Sequence, residues 1–366
     1  ELGFEVIVGG GLGRTPVIGK VIREFLPEKD LLSYLDSVLR VYNQYGRRDN
    51  KYKARIKILV ESMGKDAFAE LVEQDWQVYN QDGALTLTPE QIEYAKSFFS
   101  SPDYQDFGTD LPAIEQSLQD KLATDSEFAA WYAHNTHTHK VAGYRIVTLS
   151  LKPYLQIAGD VTSTQMRVIA DLADRYNFGE IRSTHHQNLV FSDIALGDLY
   201  DLWQALAEYN LARPNIGTLT DIIACPGFDY CALANASTLN IVDQINAHFE
   251  QVDYVHDLGD LRLNISGCMN ACAHHHVGDI GILGVDKKGE YWYQISLGGS
   301  SKQDAKLGQI LGRSVAMDAV ASTLDDILQV YLAERQSEEL FADTVARIGL
   351  EPFQARVYRD NATSEA

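Results

Sequence analysis

The spacing of apolar positions along the chain changes several times, and each change marks an element. Residues 2–9 (Leu-Gly-Phe-Glu-Val-Ile-Val-Gly) predict a buried strand, followed by a tight glycine turn over residues 9–13. From Leu31 to about Tyr45 apolar residues recur with the period of a helix. Residues 65–138 are acidic, helical in places and broken by loop clusters such as Ser100-Ser101-Pro102-Asp103, so they read as a connector or insertion. Alternation returns over 144–151, helical period over 163–176, and a second strand falls between 180 and 191. Strand, helix and strand in so short a space predict a small ferredoxin-like α+β unit. Residues 215–300 read as short strands joined by loops, and residues 303–358 as helical, with Pro352 near the end.

One pattern occurs twice. At a fixed offset of 289 residues, Phe4, Val6 and Val8 fall on Tyr293, Ile295 and Leu297, and Gly9-Gly10 falls on Gly298-Gly299. Ile18-Gly19 falls on Leu307-Gly308, and Val21-Ile22 on Ile310-Leu311. Leu35, Val38, Leu39, Val41 and Tyr42 fall on Leu324, Ile327, Leu328, Val330 and Tyr331. Matched glycines and apolar positions at one offset specify the same strand, turn and helix twice, and two such copies are expected to be related by a pseudo-twofold axis. Residue 1 corresponds to residue 290, inside the second copy, so the first copy is expected to be incomplete.

Length predicts two or three domains, and 45% hydrophobic residues suit a globular core. With 51 acidic against 31 basic residues the net charge is −20, which repels nucleic acid. No apolar run reaches membrane-spanning length. No signal peptide is read at the opening, but the chain starts at Glu1 rather than Met, so its true start is expected to lie upstream.

Chemistry enters with the cysteines. There are four, in two tight pairs: Cys225-Pro-Gly-Phe-Asp-Tyr-Cys231 and Cys268-Met-Asn-Ala-Cys272. Paired thiols on short loops can converge on one inorganic centre, and four thiolates are the ligand set of an iron–sulfur cluster. Zinc also takes four thiolates, but five residues between paired ligands exceed its usual loop. Disulfides suit small secreted chains, and inert buried thiols would not pair. A thiolate cluster needs a reducing compartment, so a cytoplasmic location is expected.

The words around the cysteines, C-x5-C followed some tens of residues later by Gly267-Cys268-x-Asn270-x-Cys272, resemble the sirohaem-dependent sulfite and nitrite reductases. The resemblance runs the length of the chain. One departure is Ala273, where the family commonly has glycine, so a methyl is expected to crowd the macrocycle face there. The resemblance implies an α+β fold of two pseudo-symmetric sirohaem/[4Fe–4S] modules, the first incomplete, with a ferredoxin-like half-domain. Its boundaries would be 1–64 for the tail of the first module, 65–138 for the connector, 139–212 for the half-domain and 213–366 for the second module.

The same resemblance assigns Cys225, Cys231, Cys268 and Cys272 to one [4Fe–4S] cluster, with Cys272 bridging to the sirohaem iron. Around sirohaem, an octacarboxylate, it places Asn270, the glycine turn at Gly10 and Gly11, the basic pair Arg55 and Lys57, and the Gln187-Asn188 element. The alternatives are plain ones: Gly10 and Gly11 as a turn or loosely spaced nucleotide loop, the basic run from Arg47 to Lys57 as a solvated face, and Gln187-Asn188 as a turn cap. His274-His275-His276 resembles a metal site, but consecutive side chains diverge, so packing or lining roles are expected.

The activity implied is assimilatory six-electron reduction of sulfite to sulfide, with electrons from a ferredoxin or an NADPH flavoprotein. The close alternative is reduction of nitrite to ammonia, and the distant one a zinc-stabilised domain without catalysis. The family's substrate-binding Arg and Lys residues are expected upstream of residue 1, so the chain alone is expected to be inactive on sulfite.

Overall fold

The computed structural model describes residues 1–80, 85–153, 156–250 and 257–359. The chain divides into two compact units, Glu1–Asp103 and Tyr104–Ala366.

In the first unit, strand β1 (Gly3–Val8) pairs antiparallel with β2 (Lys20–Pro27), and the chain between them turns at Gly9, φ 74°. Helix α1 (Leu31–Tyr45) lays Tyr34, Val38 and Val41 into the core. After α2 (Ile56–Met63) and Gly64, helix α3 (Lys65–Tyr79) closes that core with Phe68 and Val72. Polar bonds add to the seam between α1 and α3: Trp76 Nε1 donates to Ser33 Oγ at 2.9 Å and Tyr34 Oη to Glu73 at 2.8 Å. Helix α4 (Pro89–Lys96) follows, opened by a capping box between Thr88 and Gln91.

The second unit begins with α5 (Leu111–Thr124) and α6 (Ser126–Asn135), which lead into β3 (Thr136–Thr138) and β4 (Tyr144–Leu149). Residues 65–138 are therefore not one connector. Phe68 and Val72 belong to the core of the first unit, and Leu118, Phe128 and Trp131 to a core of the second. Helix α7 (Ser163–Tyr176) starts at the capping box of Thr162 and Gln165. The strand expected from 180 to 191 is two strands, β5 (Arg182–Ser183) and β6 (Leu189–Ala195), split by a turn in which Gln187 has φ 60°. The sheet order is β3-β4-β6-β5, all antiparallel. With α7 and α8 (Leu199–Ala207) it forms the predicted ferredoxin-like unit.

A second sheet follows, in the order β11-β10-β9-β8-β7, with β12 also on β10. Its strands are β7 (Ile223–Ala224), β8 (Leu263–Ser266), β9 (Ile280–Lys287), β10 (Glu290–Leu297), β11 (Gln309–Ile310) and β12 (Val315–Ala316). Helix α9 (Leu239–Phe249) makes the crossover from β7 to its parallel neighbour β8. Helices α10 (Val320–Glu334), α11 (Phe341–Ile348) and α12 (Glu351–Val357) end the described chain. The helical stretch thus begins at Val320. The residues from 303 onward first supply the two short strands that edge the sheet, because they repeat β2.

The sequence repeat is a structural repeat. At the offset of 289, β1 overlays β10, the bridge Gly11–Val17 overlays Ser300–Lys306, and α1 overlays α10 end to end. Past these helices the second copy is four residues shorter: α2 and Gly64 (φ 88°) correspond to α11 and Gly349 (φ 73°) at an offset of 285. No helix among the described residues is long and apolar enough to cross a membrane.

Candidate iron–sulfur site

Two adjacent parallel strands end at the same edge of a sheet, and a group held there meets both loops that leave them. Strands β7 and β8 are such a pair, with Ala224 opposite Ile265. Cys225 follows the last residue of β7, and Cys268 lies two residues beyond the end of β8. The first loop turns at Gly227, φ 62°, and returns with Cys231; the second returns with Cys272.

The loops pack on each other through glycine. A Cβ on Gly267 would stand 2.8 Å from Ala236 O and 3.0 Å from Gly227 Cα, so neither loop could approach the other with a larger residue at 267. Gly267 O accepts from Asn235 N at 2.8 Å and Ala236 N at 3.2 Å, and Gly267 N donates to Cys225 Sγ at 3.1 Å. That N–H to sulfur contact fits a thiolate ligand. Burial pushes the Cys272 thiol up, and so do Cys225, Cys268 and Cys231. Among the described residues no three His, Cys, Asp or Glu side chains are placed to share a single metal ion. The cubane reading does not require such a set, because its thiolates bind separate irons. The thiol set, the N–H donor and the glycine cradle fit an iron–sulfur cluster.

The second loop carries backbone strain. Ala271 and His274, on either side of Cys272, have φ 58° and 57°, a conformation costly for residues with a Cβ. Cys268 is buried and Cys272 exposed. Asn270, beside it, is exposed as well. Ala273 is buried and lies outside the left-handed region; its N–H reaches Ser266 Oγ and its carbonyl accepts from Asn264 Nδ2 at 2.7 Å. The three histidines do not all diverge: His274 is exposed, while the rings of His275 and His276 lie 3.9 Å apart, centroid to centroid, and burial of His275 drives its pKa to about 3, so it is neutral.

Gln187 and Asn188 point inward. Gln187 pairs with both backbone groups of Ala224, at 3.0 and 2.7 Å, and Asn188 Nδ2 donates to Asp221 at 3.0 Å. Two contributors to this region carry no spacing signal in the sequence: Thr238, whose hydroxyl donates to Cys225 O, and the buried pair of Lys152 and Asp221.

Gly10, Gly11, Arg55 and Lys57 lie together in the first unit. A Cβ on Gly10 would stand 3.0 Å from Gly19 N, and one on Gly11 3.3 Å from the side chains of Arg55 and Lys57. Arg55 is exposed at the start of α2. Lys57 is buried, and its amine donates to Leu12 O at 2.9 Å and Thr15 O at 2.7 Å, bracing the glycine turn. Burial, then Arg55, lowers its pKa. Two of its three donors are thus taken, leaving one for an anion.

Known proteins resemble this chain along most of its length. Residues 1–79 and 217–364 match the family described as the nitrite and sulphite reductase 4Fe-4S domain, and residues 142–209 the nitrite/sulfite reductase ferredoxin-like half domain. The chain is 26% identical to "Sulfite reductase [ferredoxin] 2" of Mycolicibacterium paratuberculosis, over 94% of its own length and 56% of the relative's. It is 25% identical to "Assimilatory ferredoxin-dependent nitrite reductase" of Haloferax mediterranei, over 95% and 55%. A solved structure of the Mycobacterium tuberculosis NirA protein superposes with a TM-score of 0.69 at 25% identity, covering 96% of this chain and 58% of that one. The chain thus spans just over half the length of these relatives. The first of these matches covers more than half of the chain and contains both cysteine loops, which shows that the chain belongs to the sirohaem nitrite and sulphite reductase 4Fe-4S family, whose cofactors are a [4Fe–4S] cluster and sirohaem.

Proposed function

We propose that this chain carries the electron-transfer centre of a sulfite reductase, with Cys225, Cys231, Cys268 and Cys272 holding the [4Fe–4S] cluster. The observation that carries this reading is that the two cysteine loops leave the carboxyl ends of the adjacent parallel strands β7 and β8 and pack on each other at Gly267. Cys272 is the thiol exposed to solvent, so it is the one able to face a second cofactor, and Asn270 stands beside it on the same exposed loop. Arg55 and the remaining donor of Lys57 would meet sirohaem carboxylates, with the glycine turn at Gly10 and Gly11 letting backbone approach the ring.

Bound sirohaem supplies an iron that takes the oxyanion and delivers electrons to it. The overall change is HSO3⁻ + 6 e⁻ + 6 H⁺ → HS⁻ + 3 H2O, with electrons from a ferredoxin or an NADPH flavoprotein. The second reading, NO2⁻ + 6 e⁻ + 8 H⁺ → NH4⁺ + 2 H2O, is favoured by the similarity to the Haloferax mediterranei protein.

The test is turnover by the full-length protein under anaerobic conditions with reduced methyl viologen. A higher kcat/KM for sulfite than for nitrite is expected. The reverse order would favour the second reading, and turnover of neither by protein holding both cofactors would overturn both.

A further inference from the structure

Gln187 lies where the ferredoxin-like sheet turns towards the cysteine loops, and its backbone is left-handed, φ 60°. A residue with a Cβ keeps that conformation only when its surroundings impose it. Here the side chain accounts for it. Oε1 accepts from Ala224 N at 3.0 Å, and Nε2 donates to Ala224 O at 2.7 Å. One amide therefore satisfies both backbone groups of one residue, as a neighbouring strand would. Ala224 needs such a partner: β7 is two residues long and has β8 on one side only, leaving the outward-facing groups of its last residue unpaired by any strand.

The next residue is Cys225. Its N–H donates to Ile265 O at 3.1 Å, its carbonyl accepts from Thr238 Oγ1, and its Sγ accepts from Gly267 N at 3.1 Å. The turn that presents Gln187 is itself anchored. Lys152 Nζ, fully buried, donates to His186 O at 2.6 Å and to Asp221 at 2.5 Å, while Asn188 spans Asp221 Oδ1 at 3.0 Å and Leu151 N at 3.2 Å. A continuous polar chain thus runs from the buried Lys152–Asp221 pair through residues 186–188 to Ala224 and the cysteine beside it.

We propose that Gln187 is a positioning residue for the iron–sulfur centre: it fixes the backbone of Ala224 and so the direction of the Cys225 ligand, with the Lys152–Asp221 pair as its anchor. This rests on the reading that the four cysteines hold the cluster. It assigns Gln187 to the cluster's protein support rather than to direct contact with a cofactor.

The test uses the full chain with Gln187→Gly, which removes both bonds and relieves the left-handed backbone, and Gln187→Glu, which keeps the acceptor and loses the donor. Two quantities are measured. One is amide hydrogen exchange in the peptide containing Ala224, in the metal-free chain. The other is the rate of iron release to excess chelator after anaerobic reconstitution with iron and sulfide. Loss of both bonds is expected to speed each by about tenfold, with the glutamate variant in between. Should the glycine variant fail to fold, the glutamate variant decides by the same measures. Wild-type iron release in the folded variants would overturn the proposal, whatever the exchange shows. Failure of the wild-type chain to take up iron would instead overturn the cluster reading, and this proposal with it.

Discussion

Gly9 and Gly298 hold the same left-handed backbone, φ 74° and 78°, and each admits a valine from the second helix beyond it: Val60 reaches 3.0 Å and Val345 2.9 Å from where a Cβ would stand. The two valines are themselves equivalent in the repeat. One sequence pattern has thus produced one steric solution twice. Each alanine substitution, Gly9→Ala or Gly298→Ala, is expected to destabilise its own unit by about 1–3 kcal/mol, from the backbone conformation and the contact together. Gly289→Ala, also at positive φ but with nothing within 4 Å, is expected to cost less. Urea unfolding of the three variants checks this; equal losses would show that the valine contacts contribute nothing.

The repeat also marks surface that is covered in one copy and open in the other. Tyr293, Leu324 and Leu328 are fully buried, whereas their counterparts Phe4, Leu35 and Leu39 are 38%, 39% and 53% exposed. In the second copy β10 is flanked by β9; among the described residues β1 pairs with β2 alone. Exposed apolar surface of this kind promotes association. Leu39→Lys is expected to reduce concentration-dependent light scattering by the chain at unchanged helical circular dichroism. Unchanged scattering would show that this face is not adhesive.

Asp193 sets a pH dependence. Although burial pushes its carboxyl up, hydrogen bonds from Ser192, Tyr104 and His139 hold it below the usual carboxylate range. A depressed folded-state pKa contributes stability above the unfolded value, near ~4, and loses it as pH falls through the folded value. Asp193→Asn is therefore expected to cost about 1–3 kcal/mol at pH 7 and progressively less below about pH 4. Urea midpoints at the two pH values measure the gap; a gap independent of pH would contradict the assignment.

How far the sequence revealed the structure depended on whether a feature was local. Helices at Leu31–Tyr45 and Ser163–Tyr176 were legible to the residue because periodicity, and in the second case a capping box, specify them locally. The cysteine loops were legible because ligand spacing is written in sequence. The break between β5 and β6 was legible only as a turn cap at Gln187-Asn188; the turn is closed locally, with Thr184 N donating to Asn188 O, while the bonds of Gln187 to Ala224, 37 residues away, had no local signal. Lys57 read as a free cation because nothing nearby in sequence shows that Leu12 and Thr15, more than 40 residues earlier, offer it their carbonyls. Lys152 gave no signal, since a lone lysine after a strand is usually solvated and this one is buried on Asp221.

The most direct measurement is metal and sulfide analysis of the chain after anaerobic purification or reconstitution, for wild type and for Cys225→Ser, Cys231→Ser, Cys268→Ser and Cys272→Ser. One [4Fe–4S] cluster on four thiolates predicts about four iron and four acid-labile sulfide per wild-type chain, with loss in each variant. One zinc per chain with no iron, or full iron retained when any of the four is replaced, would contradict the account.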